Sequence, residues 1–145
     1  MTSTSISKTV HKSWNSLPIK DPGSAITHFI AMLLSIAGAV PLLLKARKNP
    51  EPVYWISMLF FICSMILLYA ASTCYHTFDI SPKTNRILKK IDHMMISILI
   101  AGTYTPVCLI ALKPSTGILL CVGVWSMALC GILLKAFWVF CPRWI

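Results

Sequence analysis

A chain of 145 residues that is 57% apolar and 12% charged, with a mean hydropathy of +0.75, is not built like a soluble domain, which carries about twice that charged fraction. Its apolar residues fall in long unbroken runs without alternation of period 2 or 3.6, which argues against a soluble amphipathic bundle. The net charge of +9 invites nucleic-acid binding, but the lysines and arginines lie in short clusters between the runs, where they anchor and orient membrane helices; no nucleic-acid partner is expected.

Residues 1–20 read as a polar tail in which His11 carries no signal. The first predicted span covers about 25–44, with Asp21-Pro22 as N-cap and first-turn proline. Basic residues precede it and Ala37-Gly38-Ala39 resembles a signal-peptidase site. The segment before it is long, however, and the apolar run continues through Pro41 to Leu44, so it reads as a retained helix. The second span, about 53–75, follows Asn49-Pro50, which can start a helix as Asp21-Pro22 does, and carries Tyr54 and Trp55 at one end and Tyr75 at the other, an interfacial aromatic belt. Ser81-Pro82 can start a further helix; residues 82–90 then read as a short interfacial helix with a basic side suited to anionic headgroups, leading into the third span at about 92–112. Within that span Gly102, Thr103, Tyr104, Thr105 and Pro106 should kink or loosen the helix, since Pro106 lacks a backbone donor. The fourth span covers about 115–138. Roughly 20 apolar residues cross a bilayer core, so each run suffices. The fold class expected is an all-α, multi-pass transmembrane helical bundle in contact with membrane lipids.

Nine basic residues fall on the side of the N-terminus and four (Lys45, Arg47, Lys48 and Lys113) on the other, which favours a cytoplasmic N-terminus, although the Lys45 to Lys48 cluster runs against the rule. The six cysteines include no C-x-x-C pair and fall mostly within the spans, where free thiols act as small apolar groups; neither a disulfide framework nor a cysteine zinc site is expected.

Chemistry must come from polar residues that alternating span directions bring to one side: Thr27 and His28, Ser72 to His76, and Asp92 with His93. Ser72 and His76, spaced i, i+4, share a helix face. His76 can offer an imidazole nitrogen to a metal or reach for headgroups. The Ser72 hydroxyl can hold a metal-bound water one turn deeper. Asp92 can orient such a water and handle its proton, or can cap the third helix or pair with Lys89 or Lys90. His93 points about 100° away from Asp92 and suits headgroup contact. His28 reads as a hydrogen-bonded packing residue; it and His93 are the weaker ligand candidates, and the ligand set looks short of the three a catalytic zinc takes.

The segments 21–28, Ser72 to His76, Asp92-His93 and Gly102 to Pro106 together resemble the haemolysin III family, which belongs with the progestin and adiponectin receptors. The likeness runs from about Lys20 to the C-terminus. It implies seven transmembrane helices with a cytoplasmic N-terminus in a bacterial plasma membrane, His76 as one zinc ligand, and Ser72 and Asp92 holding the zinc-bound water. It also implies either a zinc-dependent lipid amide hydrolase or a membrane-permeabilising protein. Two departures stand out. Asp21 stands where the family often has glutamate, and the family's H-x-x-x-H pair, which supplies the other two ligands, is missing. The chain therefore reads as the first four of seven helices, with an incomplete zinc site and little activity expected of it alone. A self-associated pair could bring two copies of His76 together, but no feature of the sequence marks that geometry.

Overall fold

Residues 19–137 are described by the computed structural model; most of the polar tail, His11, the last position of the expected fourth span and Cys141 lie outside the described residues. Four helices follow in chain order: α1 (Pro22–Arg47), α2 (Pro52–Thr77), α3 (Pro82–Pro106), which runs on into a π-helical turn (Val107–Ala111), and α4 (Pro114–Phe137). All four are long and apolar enough to cross a membrane, and no strand occurs among the described residues. The fold is an all-α bundle in which α1 packs on α2, α2 on α3, and α3 with its π turn on α4. Each helix opens on a proline, whose missing N–H costs nothing in the first turn.

The helix starts partly correct the expectations. Ser81 caps α3 as anticipated, its Oγ accepting the Thr84 N–H at 3.2 Å. Ahead of it the Asn85 side chain donates to Asp79 Oδ1 at 2.6 Å and accepts the Ile80 N–H at 3.2 Å, fastening the turn into the helix. Asp21, by contrast, precedes α1 without a side-chain capping bond, because its carboxylate is engaged elsewhere. Asn49 does not start a helix. It accepts the Glu51 N–H at 3.0 Å in the loop, and α2 begins at Pro52. The basic segment 82–90 is no separate helix but the opening turns of α3, because Lys and Arg are good helix formers and nothing after Ser81 breaks the run.

Small residues line the helix contacts: Ala25, Ser57, Ser64, Ser97, Ala101, Gly102, Thr105 and Cys108 are buried, whereas large residues such as Leu34, Leu119 and Met127 face outward. In lipid no hydrophobic force separates helix from tail, so association relies on close backbone approach, which small residues permit. A Cβ added at Gly102 would run into the Ser64 side chain, and one at Gly117 into the Cys108 carbonyl. Four buried hydroxyls bond back to their own helices: Ser35 to the Ala31 carbonyl, Ser57 to Val53, Ser64 to Phe61 and Thr105 to Ala101, at 2.7 to 2.8 Å. No buried side-chain nitrogen or oxygen among the described residues lacks a partner. Between helices, Trp125 Nε1 on α4 donates to Thr105 Oγ1 on α3 at 3.1 Å.

The loosening expected at Pro106 takes the form of the π turn that follows it. At the other end of α3, Lys90 Nζ donates to the Ala136 carbonyl at 2.9 Å and Lys135 Nζ to the His93 carbonyl at 2.8 Å. Lys90 thus supplies both a donor and positive charge to the C-terminal end of α4.

Candidate functional site

Polar side chains from three segments meet at the end of the bundle where α1 begins and α2 ends. Main-chain bonds from Asp21 N–H to the His76 carbonyl (2.9 Å) and from Lys20 N–H to the Thr77 carbonyl (3.3 Å) strap the approach to α1 across the last turn of α2. The Lys20 ammonium, 3.6 Å from the Tyr75 ring centroid, reinforces that strap through a cation–π contact. The strap brings the Asp21 carboxylate to His76, whose Nδ1 lies 3.0 Å from Asp21 Oδ2.

A carboxylate only accepts, so His76 Nδ1 carries the proton. In the neutral ring the lone pair then belongs to Nε2. The His28 ring stands edge-on to that of His76, with centroids 5.6 Å apart. One turn deeper, His28 Nδ1 and Ser72 Oγ share a hydrogen bond of 2.5 Å, and Ser72 is only 4% exposed. His28 is thus the hydrogen-bonded residue expected. Ser72, expected to hold a water, has its hydroxyl on His28.

Asp92 lies on α3, 8% exposed. Gly102 faces Ser64 across the antiparallel α2–α3 contact, and this register carries Asp92 to about the level of Cys74, between Ser72 and His76. Because α3 starts at Pro82, Asp92 sits in the helix interior and cannot cap it. Its carboxylate pairs with the neighbouring His93, Nδ1 to Oδ2 at 3.4 Å, while the Lys90 ammonium goes to α4. The two side chains expected to work apart are therefore joined, with His93 exposed and Asp92 facing inward.

Sequence reading missed Asp21 as a member of the cluster. No local signal marks it, since its partner is 55 residues away. Among the described residues no three His, Cys, Asp or Glu side chains are grouped so that they could hold a metal ion. A catalytic zinc takes three protein ligands, so the donors present do not fit that ion by themselves. The cluster can hold and pass protons, orient one imidazole through a carboxylate and a second through a hydroxyl, and offer one or two nitrogen donors.

The Ser72–His28 bond is open to a direct test. Ser72→Ala leaves an imidazole nitrogen without its partner beside the bilayer, and we expect a loss of about 1–3 kcal/mol. The same change in a His28→Leu background should cost distinctly less, so a double-mutant cycle by thermal melting in detergent isolates the bond.

Four membrane-spanning helices with a polar cluster at one end define a multi-pass integral membrane protein. The haemolysin-III-related family matches residues 18–145, and the chain belongs to that family. It is 47% identical over 116 residues to the hemolysin-3 homolog of Bacillus subtilis (strain 168), covering 80% of this chain and 54% of that protein. It is 38% identical over 116 residues to hemolysin-3 of Bacillus cereus, covering 80% and 52% respectively. The chain thus spans about half the length of these curated relatives. No solved structure matches it.

Proposed function

We propose that the chain carries the amino-terminal part of a zinc-dependent hydrolase site, acting on lipid amides in the full-length frame, within a bacterial plasma membrane and with the N-terminus cytoplasmic. The observation that carries this reading is the Asp21–His76 bond. A carboxylate that fixes the tautomer and aim of an imidazole is the usual outer partner of a metal-ligating histidine. It leaves Nε2 of His76 as a donor, with a second imidazole 5.6 Å away. Residues 19–137 group no three metal-ligating side chains, so this reading draws the remaining ligands from other segments, in keeping with relatives of which the matched part covers only about half. Ser72 positions His28, and Asp92, buried at the same level on α3, is the proton-handling carboxylate. Ionisable groups beside a bilayer are costly to keep, and function is the common reason they persist.

The second reading, membrane permeabilisation, is favoured by the names of both relatives. The interior of the bundle opposes it. Ser35, Ser57, Ser64 and Thr105, buried between the helices, give their hydroxyls to carbonyls of their own helices rather than to an aqueous path.

Zinc per chain, fatty-acid release from lipid-amide vesicles and dye efflux, measured on purified chain and on His76→Ala, separate the two. The hydrolase reading expects less than one zinc per chain, falling to background in His76→Ala, with no dye efflux. Zinc content unchanged by the substitution overturns it, and dye efflux that survives the substitution puts permeabilisation in its place.

A further inference from the structure

A sizeable cavity lies at the opposite end of the bundle from the histidines. It is a groove of about 520 Å³ between α1 and α2, lined by Val40, Leu43, Leu44, Arg47, Trp55 and Leu59. That volume lies within the range of about 300–1,000 Å³ usual for small-molecule sites. Five of the six lining side chains are apolar or aromatic and the sixth is a guanidinium. The Arg47 guanidinium makes no hydrogen bond or ion pair with any described residue. Trp55, in the first turn of α2 and 42% exposed, places this end at headgroup level, where indole rings concentrate.

The same end holds the cluster that breaks the charge rule. Lys45, Arg47 and Lys48 lie within four positions, with Glu51 the one acidic residue in the turn to α2. Cations in the last turn of α1 suit its dipole. The dipole does not explain why the guanidinium stands at the mouth of an apolar groove beside an indole. A ligand that satisfies both has an anionic, multi-oxygen head for the arginine fork and a long apolar tail for the groove.

From this geometry we infer that the Arg47 groove binds one anionic phospholipid, its phosphate on Arg47 beside Trp55 and an acyl chain along Val40, Leu43, Leu44 and Leu59. The apolar lining selects a lipid over free phosphate. The site is independent of His76 and explains a basic cluster on the side where orientation rules call for few.

The test uses the full chain in nanodiscs containing equal phosphatidylglycerol and phosphatidylcholine, with lipids retained after release into detergent counted by native mass spectrometry. Wild type should retain phosphatidylglycerol about fivefold over phosphatidylcholine. Arg47→Gln should abolish the preference. Leu59→Trp, which fills the groove, should lower retention of both lipids. Lys113→Gln, a cation at the same end but outside the groove, should match wild type.

Equal retention of the two lipids by wild type overturns the inference. So does a preference that survives Arg47→Gln or is lost equally in Lys113→Gln, since diffuse surface charge then accounts for it. Displacement of the retained lipid by inorganic phosphate overturns the lipid assignment. Should Arg47→Gln fail to fold, brominated phosphatidylglycerol provides a second measurement with Arg47 intact. Quenching must then be markedly stronger in wild type than in Trp55→Phe, and equal quenching overturns the inference.

Discussion

Gly102→Leu should separate α2 from α3 and leave little folded protein in detergent, and Gly102→Ala should cost about 3 kcal/mol. A β-carbon at position 102 falls onto the Ser64 hydroxyl and Cβ and lies 3.3 Å from the Phe60 carbonyl. Both sides of this contact are helix faces in dense packing, so neither can yield without moving a whole turn. The clash is mainly with a side chain, and this makes it correctable. Ser64→Gly removes the atoms in the way, and the Gly102→Ala, Ser64→Gly double variant should recover most of the loss. Melting temperatures of the four proteins in one detergent decide the matter. If the double variant is no better than Gly102→Ala alone, the α2–α3 contact is not set by this pair. The consequence reaches the polar end, because the same register levels Asp92 with Ser72 and His76.

How much of this arrangement is legible in the sequence depends on the range of each interaction. The spans are visible because membrane insertion depends on summed apolar content, which a run such as 53–75 displays whatever its neighbours do. His76 and Ser72 are visible as a pair because helical spacing is local. The continuity of α3 is not visible from hydropathy, since Lys83 to Lys90 interrupt the apolar run while favouring helix, although Ser81-Pro82 marks its start. Asp21 illustrates the other limit. Asp followed by proline is a good N-cap by propensity, worth on the order of 1 kcal/mol, yet the carboxylate serves His76 instead once the strap across α2 brings the two together. Small residues hide the packing in the same way. Ser64 and Gly117 look unremarkable within apolar runs, Gly102 stands out only as part of a loosened segment, and only the register shows that they mark where backbones approach. Arg47 belongs here too, being merely one of three clustered cations until α2 supplies Trp55 and Leu59 across the groove.

Gly117→Ala should be as damaging as Gly102→Ala, and no side-chain change at its contact should repair it. A β-carbon at 117 falls on the main-chain carbonyl oxygen of Cys108 and lies 3.1 Å from the carbonyl carbon. Cys108 stands in the π turn just beyond Pro106, 1% exposed, and Gly117 in the first turn of α4. Replacing Cys108 by glycine or alanine therefore leaves the obstruction in place, since a carbonyl belongs to every residue. Relief requires α4 to move away from the π turn, which withdraws the small-residue contact that seats it and exposes Cys108. In a variant keeping Cys108 as its one cysteine, maleimide labelling in detergent reads this directly. Wild type should label slowly, and Gly117→Ala should label many times faster at equal helix content. Slow labelling in both would mean that the π turn can yield without release of α4, and Gly117 would then be no more than a tolerant position. Fast labelling together with intact Lys90 and Lys135 contacts would confine the opening of the α3–α4 pair to this end, away from the polar cluster.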